Sequence, residues 1–354
     1  MITPVKQVNR FFMLALAPFI GLVLCLLFFR PELEAKPIIP ANLPEDPVTS
    51  RTQAISKELA GAKDAAVQTS SSIKKTTQLY NKTTSTMSTI VQKATVQAAR
   101  PETIYNKRIT SKLGIPLERV NSDRITIELY RVNPGTYTGY AMKIKLKDPS
   151  AMQMALSSEL GKSETTLQAV KRSGAIAGIN AGGFADSGGK RYPLSTTVMN
   201  GQYVNGFQAS FKDLFFVGLN DAGKLVGGKF FDKSSLDRLK PQFGATFVPV
   251  LMKNGKKTTI PDKWKVSPKR APRTVIGNYK DDQLLIIVVD GYNENGSSGA
   301  TLEEMQGRLL KLGVVDAYNL DGGGSSSLIL NNRVINNPSD GNLRPVPTHF
   351  LFYK

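Results

Sequence analysis

Apolar and polar residues change rhythm several times along this 354-residue chain. Between Phe11 and Phe29 no charge interrupts an apolar run. At about 1.5 Å per residue it predicts a helix nearly long enough to span a ~30 Å hydrocarbon core. Pro37, Pro40, Pro44 and Pro47 follow; because proline fixes φ and lacks a backbone donor, they predict a stiff, extended exit. From Ser50 to Arg100 the chain turns to Ser, Thr, Ala, Gln and Lys, with Ile55, Leu59, Ile73, Leu79, Met87, Ile90 and Val91 thinly spread. Such a stretch buries little surface by itself. Its sparse helical period permits a helical or weakly coiled stalk, with disorder as the alternative.

From about Ile109 the rhythm is that of a folded domain. Alternation over Arg124–Tyr130 and Ala141–Leu146 predicts half-buried strands. The unbroken apolar runs Leu284–Val289 and Val314–Asn319 predict strands buried on both faces. Helical spacing appears over Ser163–Arg172 and over Thr301–Leu312, the second stopped by Gly313. Strands and helices mix without strict βαβ alternation, which predicts an α+β domain with a mixed sheet. The chain thus divides into residues 1–30 (N-terminus and transmembrane anchor), 31–106 (exit and stalk) and 107–354 (the folded domain).

Lys6 and Arg10 precede the apolar run, so the positive-inside bias puts the N-terminus in the cytoplasm and everything after Arg30 outside. The expected location is therefore the cell membrane, single-pass, with the domain extracytoplasmic. A cleaved signal peptide is the rival, but its apolar region would be unusually long and Pro31–Lys36 offers no small-x-small cleavage site.

Lysine and arginine (46) outnumber aspartate and glutamate (28), and the net charge of +18 concentrates anionic partners. The basic residues are dispersed and not gathered into a stripe with aromatics, so nucleic acid is not an expected partner. The single cysteine, Cys25, lies inside the apolar run, which excludes a disulfide framework and a Cys-based zinc site in the domain.

Three junctions at strand ends carry candidate chemistry: Gly178-Ile-Asn-Ala-Gly-Gly-Phe184, Val288-Val-Asp-Gly291 and Asn319-Leu-Asp-Gly-Gly-Gly-Ser-Ser-Ser327. In the last, Asp321 precedes Gly322, Gly323 and Gly324, which allow close backbone approach, and Ser325 and Ser326, whose hydroxyls can face a phosphate or sugar oxygen. A flexible turn is the alternative. If the strands ending at Asp290 and Asp321 are neighbours, the two carboxylates meet at one edge and their pKa values separate into an acid and a base. Each is otherwise a turn cap. Asn180 is placed to orient a hydroxyl or water, or else to hold a left-handed turn, and Gly182 and Gly183 let a ligand approach the main chain. Arg273, next to Thr274, suits two-point binding of phosphate; a solvated surface arginine is its alternative. His349 is the only histidine and no Gly-x-Ser-x-Gly elbow is present, so a packed histidine is expected rather than a Ser-His-Asp hydrolase.

Taken in order, Gly-Ile-Asn-Ala-Gly-Gly-Phe, Pro272-Arg-Thr, Val289-Asp-Gly, Thr301-Leu-Glu-Glu, Leu320-Asp-Gly-Gly-Gly-Ser and Arg344-Pro-Val resemble the phosphodiester glycosidase family over roughly Ile125–Tyr353. The resemblance implies hydrolysis of a sugar-1-phosphodiester in a glycan or envelope polymer. It makes Asn180, Asp290, Glu304 and Asp321 the catalytic candidates, with Asp321 first. Substrate would be bound by Arg273, Thr274, Gly182, Gly183, Gly322, Gly323, Gly324, Ser325 and Ser326. One departure is Ser195, in Tyr192-Pro-Leu-Ser-Thr196, where the family pattern leads one to expect glycine. The expected partners are an anionic or phosphate-linked carbohydrate and, through the N-terminal helix, a membrane. No cofactor is required by the sequence. A calcium- or magnesium-dependent phosphodiesterase acting on lipid or teichoic acid is one alternative. A non-catalytic protein of polysaccharide binding or assembly that uses the same cleft is another.

Overall fold

The computed structural model describes Ile20 and residues 48–291, 299–339 and 341–354. The apolar run Phe11–Phe29, apart from Ile20, and the prolines from Pro37 to Pro47 lie outside these residues. Among the described residues no helix is long and apolar enough to cross a membrane.

The stretch read as a stalk forms a single helix, Val48–Leu113, of 66 residues. Its many threonines are poor helix formers, but several return the hydroxyl to the carbonyl one turn back: Thr69 to Ala65, Thr77 to Ile73, Thr86 to Lys82 and Thr89 to Ser85. The chain forms two compact units, Met1–Val91 and Gln92–Lys354. In the first, every side chain from Arg51 to Val91 is exposed.

The second unit holds the sheets. The largest has eight antiparallel strands in the order Glu118–Asn121, Ile125–Val132, Gly139–Leu146, Leu284–Val289, Thr274–Asn278, Asp316–Leu320, Val250–Lys253 and Lys256–Lys257. A five-stranded sheet is built on Phe215–Asn220 and Pro241–Phe247, and another on Ala177–Asn180 flanked by Leu328–Leu330 and Thr348–Phe352.

One face of the large sheet, with Tyr130, Ala141, Val275, Leu285, Ile287 and Ala317, packs on Leu302, Met305 and Leu309 of the helix Leu302–Leu312. Ile109 and Leu113, from the last turns of the long helix, join this cluster. The opposite face, with Ile127, Met142, Ile276, Ile286 and Leu320, meets Phe215 and Phe243 of the second sheet and Ile179, Phe350 and Phe352 of the third. Leu284–Val289 is therefore apolar at every position because it is covered on both sides. The third sheet's outer side presents Ile329 and Leu351 to Ala169 and Val170 of the helix Thr166–Ser173. This combination of sheets and segregated helices is the expected α+β class, but the expected mixed sheet is not found: the strands named here pair antiparallel throughout.

Candidate active site

Strand register brings the site together. In the large sheet Thr274 pairs with Val288 on one side and with Leu320 on the other. The chain therefore leaves one strand at Asp290, enters the next from Arg273 and leaves the third at Asp321, all at one edge. The strands that end at Asp290 and Asp321 are not neighbours, because Thr274–Asn278 lies between them. Two strand spacings put their ends about 10 Å apart.

Asn180 fastens this edge to the third sheet. Its Nδ2 donates to the Asp321 carbonyl at 2.6 Å, and its Oδ1 accepts from Thr274 Oγ1 at 2.9 Å and from the Ser327 amide at 3.0 Å. The Asp321 amide donates to Ala181 O at 3.1 Å. Asn180 is fully buried and both ends of its amide are occupied within the protein. Thr274 is likewise buried in this bracket.

Asp321 differs. One carboxylate oxygen, Oδ1, accepts from the Gly322 amide at 3.0 Å, while Oδ2 is buried without a hydrogen-bond partner. Burial pushes the carboxyl up to about 6, against the pull of the nearby Ser325 hydroxyl, the Gly322 amide and the positive charges of Arg344 and Arg191. The Ser325 hydroxyl lies close without completing an aligned hydrogen bond, and the Ser326 hydroxyl is buried without a partner as well. Both serines sit on or just after the short 3-10 turn Gly323–Ser325. That turn is held by the Gly323 amide on Pro272 O at 2.8 Å and by Asn336 Nδ2 on Ser326 O at 2.9 Å.

Two arginines complete the surroundings. The Arg344 guanidinium packs against Gly324, where a Cβ would stand 2.2 Å from Nη2, so a side chain there would push the guanidinium aside. Arg191, on the hairpin strand Lys190–Pro193, donates from Nη1 to Pro345 O at 2.6 Å and pairs with Asp186 at 2.8 Å, which sets it next to Arg344. In the sequence Arg344 stands out only within the Arg344-Pro-Val motif, and nothing singles out Arg191. The Arg191–Pro345 contact joins residues far apart in the chain and has no local signal.

The other candidates share the edge but are engaged elsewhere. Asp290 accepts from Thr138 Oγ1 at 2.9 Å through Oδ2 and from the Asn337 amide at 2.9 Å through Oδ1, so both oxygens are used in closing loops. Glu304 forms the capping box of its helix with Thr301 and pairs with Arg270 at 3.0 Å. Burial opposes its ionisation, but the Thr301 amide, Arg270 and Thr136 outweigh that and hold its carboxyl below the usual range. Arg273 is buried and turned inward, with Nε on Ala300 O at 3.2 Å and Nη2 on Pro268 O at 2.9 Å. Burial brings it down to about 10, with Glu303 opposing. Gly182 and Gly183 make room for protein rather than open a path, since side chains there would meet Ala245 and Phe247. Gly322 packs on Pro272 O, and Gly323 has a positive φ of 59°. His349 is fully buried with Nδ1 3.2 Å from Thr166 Oγ1, and burial brings it down to about 3. Among the described residues no three His, Cys, Asp or Glu side chains group closely enough to hold a metal ion.

The model of the phosphodiester glycosidase family matches residues 173–353, which include every element of this site. The chain belongs to the phosphodiester glycosidase family. It is 32% identical over 188 residues to the SPbeta prophage-derived uncharacterized protein YomE of Bacillus subtilis, covering 52% of this chain and 28% of that protein. It is 46% identical over 68 residues to N-acetylglucosamine-1-phosphodiester alpha-N-acetylglucosaminidase of Bos taurus, covering 19% of this chain and 12% of that enzyme. The chain thus spans less than a third of the length of these curated relatives. The zebrafish N-acetylglucosamine-1-phosphodiester alpha-N-acetylglucosaminidase catalytic domain, auto-inhibited by its pro-peptide, superposes with a TM-score of 0.55 at 19% identity, over 68% of this chain and 89% of that one. This likeness shows the shared fold. Where the family pattern leads one to expect glycine, Ser195 has a φ of 54°, the left-handed region that glycine adopts without strain.

Proposed function

We propose that this phosphodiester glycosidase family member is a hydrolase. It cleaves a sugar-1-phosphodiester of a glycan or envelope polymer on its glycosidic side, and it is anchored in the cell membrane by Phe11–Phe29 with the site outside the cytoplasm. The observation that carries the reading is Asp321, whose buried Oδ2 has no partner beside two buried hydroxyls and two arginines. The names of the bovine and zebrafish relatives supply the linkage.

In the proposed reaction the bond between the sugar C1 and the phosphate oxygen breaks with its electron pair on that oxygen. A water adds to C1 and gives up a proton. Phosphate leaves as an anion without needing a strong acid, so the charge to be stabilised falls to Arg344 and Arg191. Asp321 then serves on the water side as general base, and a carboxyl near 6 is basic enough for that work at neutral pH. The products are a reducing sugar and a phosphate monoester. Asp290, Asn180 and Arg273 position the edge from which Asp321 projects, while Glu304 caps its helix and holds Arg270.

The test is hydrolysis of nitrophenyl and nucleotide-type sugar-1-phosphodiesters by the purified protein, reading the product released. Asp321→Asn should lower turnover by roughly 10²- to 10⁴-fold, the contribution of a placed acid-base group. Binding of these compounds by the native protein with no product released would favour the non-catalytic role in polysaccharide binding or assembly.

A further inference from the structure

From Ile55 to Ile90 the long helix carries a seven-residue repeat. Counting Leu59 as position a, the a positions are Leu59, Ala66, Ile73, Tyr80 and Met87, and the d positions are Ile55, Ala62, Thr69, Thr76, Thr83 and Ile90. Every charged residue of this stretch (Lys57, Glu58, Lys63, Asp64, Lys74, Lys75 and Lys82) falls elsewhere. The stripe is uncovered in the single chain: Leu59 is 71%, Ile73 61%, Tyr80 72% and Met87 61% exposed. An a/d stripe of period 3.5 is the seam of a coiled coil, and a helix with no packed face lacks the contacts that supply most helical stability.

We propose that the helix pairs through this stripe with a second copy of the chain, parallel and in register. Two observations select that occupant and orientation. Glu58 is a g position and Lys63 the e position of the next heptad, the two places that face each other across a parallel in-register pair. They are the only charged g/e couple in the stretch, and their signs are opposite. Neither has an oppositely charged neighbour three or four residues away on its own helix: Glu58 faces Ala54, Ile55, Gly61 and Ala62, and Lys63 faces Leu59, Ala60, Ala66 and Val67. Moreover, the apolar run Phe11–Phe29 precedes the helix in each chain, so only parallel pairing keeps both runs at one end, as a shared membrane requires. That second argument rests on the anchored reading above; the g/e couple does not.

The experiment uses the full detergent-solubilised chain with Cys25→Ser, so that introduced thiols are the only ones. Thr76→Cys (d) should form an intermolecular disulfide under mild oxidation, whereas Lys75→Cys (c, facing outward) should stay at least tenfold less cross-linked. Glu58→Lys and Lys63→Glu should each lower the dimer fraction seen by light scattering in the Cys25→Ser chain, and the double exchange should restore it. Equal cross-linking at 75 and 76, none at either, or failure of the double exchange to restore the dimer would overturn the proposal. Catalytic activity is not the readout, so loss of this pairing and loss of the proposed hydrolysis are told apart.

Discussion

Asp321 is held in a form the folded protein tolerates poorly once it is charged. Its carboxyl titrates near 6 in the folded chain, above the ordinary 3.8, so the folded state binds the proton more tightly than the unfolded chain does. The stabilisation from that proton is complete below about pH 4 and is lost as pH rises through about 6. The base that the proposed reaction needs appears over the same interval. kcat/KM should therefore climb with pH to a plateau above about 6, while this residue's share of stability falls. Asp321→Asn should remove both effects, leaving a protein more stable at pH 7 by up to about 3 kcal/mol, yet nearly inactive. A pH–rate profile beside melting curves of the two proteins checks this, and a flat profile between pH 5 and 8 would remove Asp321 as the base. Asp321 is legible in the sequence because a Gly-rich turn follows a buried strand. Asp290 and Arg273 read just as well, and what separates them from Asp321 is occupancy: Thr138 and Asn337 fill the oxygens of one, and carbonyl groups hold the other. Hydrogen-bond occupancy comes from chain segments far away in sequence, which no local pattern records.

Elements were more legible than side-chain roles, and the helix Leu302–Leu312 shows why. Thr301, Glu304 and Gly313 are local signals, and the structure uses all three as N-cap, capping-box partner and left-handed C-cap. The same locality sets what Glu304 does. Its carboxylate accepts from the Thr301 amide at 2.8 Å and pairs with Arg270, which in turn donates to Thr136 O and Gly299 O. Glu304→Ala should cost about 1 kcal/mol through the lost cap and leave kcat/KM within about twofold. Thermal melting and steady-state rates on the same preparation check both halves. An unchanged melting temperature with collapsed turnover would instead give Glu304 a part in the reaction. Pairing of the strands was not legible: the Asp290 and Asp321 strands share an edge, but the intervening Thr274–Asn278 is placed by antiparallel register among three segments distant in sequence.

At the scale of the molecule, the change of composition near residue 107 falls inside the long helix, whose last turns belong to the core of the folded unit. The long helix does not end there. Its last turns insert Ile109 (3% exposed) and Leu113 (7% exposed) into the cluster formed with Leu285, Ile287 and Leu309. Asn106 Oδ1 accepts from the buried Lys143 at 2.6 Å, and Lys143 also pairs with Glu128 at 2.6 Å. The two parts of the helix have different surroundings, and the change from polar to mixed sequence falls close to Ile109, where burial begins. A chain beginning at Gln92 keeps these contacts and should melt within about 2 °C of the full-length protein, with unchanged kcat/KM on a soluble substrate. A chain beginning at Ile115 loses the burial of Ile109 and Leu113, roughly 1.5–3 kcal/mol for each. It also opens the Lys143 ammonium to water, which replaces the Asn106 acceptor while the Glu128 pair remains, so that change adds little. Losses of that size take up much of a domain's usual 5–15 kcal/mol margin, so the shorter protein should melt well below the longer or fail to fold. Melting the two truncations side by side decides the point, and equal melting temperatures would show that the last turns of the helix add nothing to the folded unit.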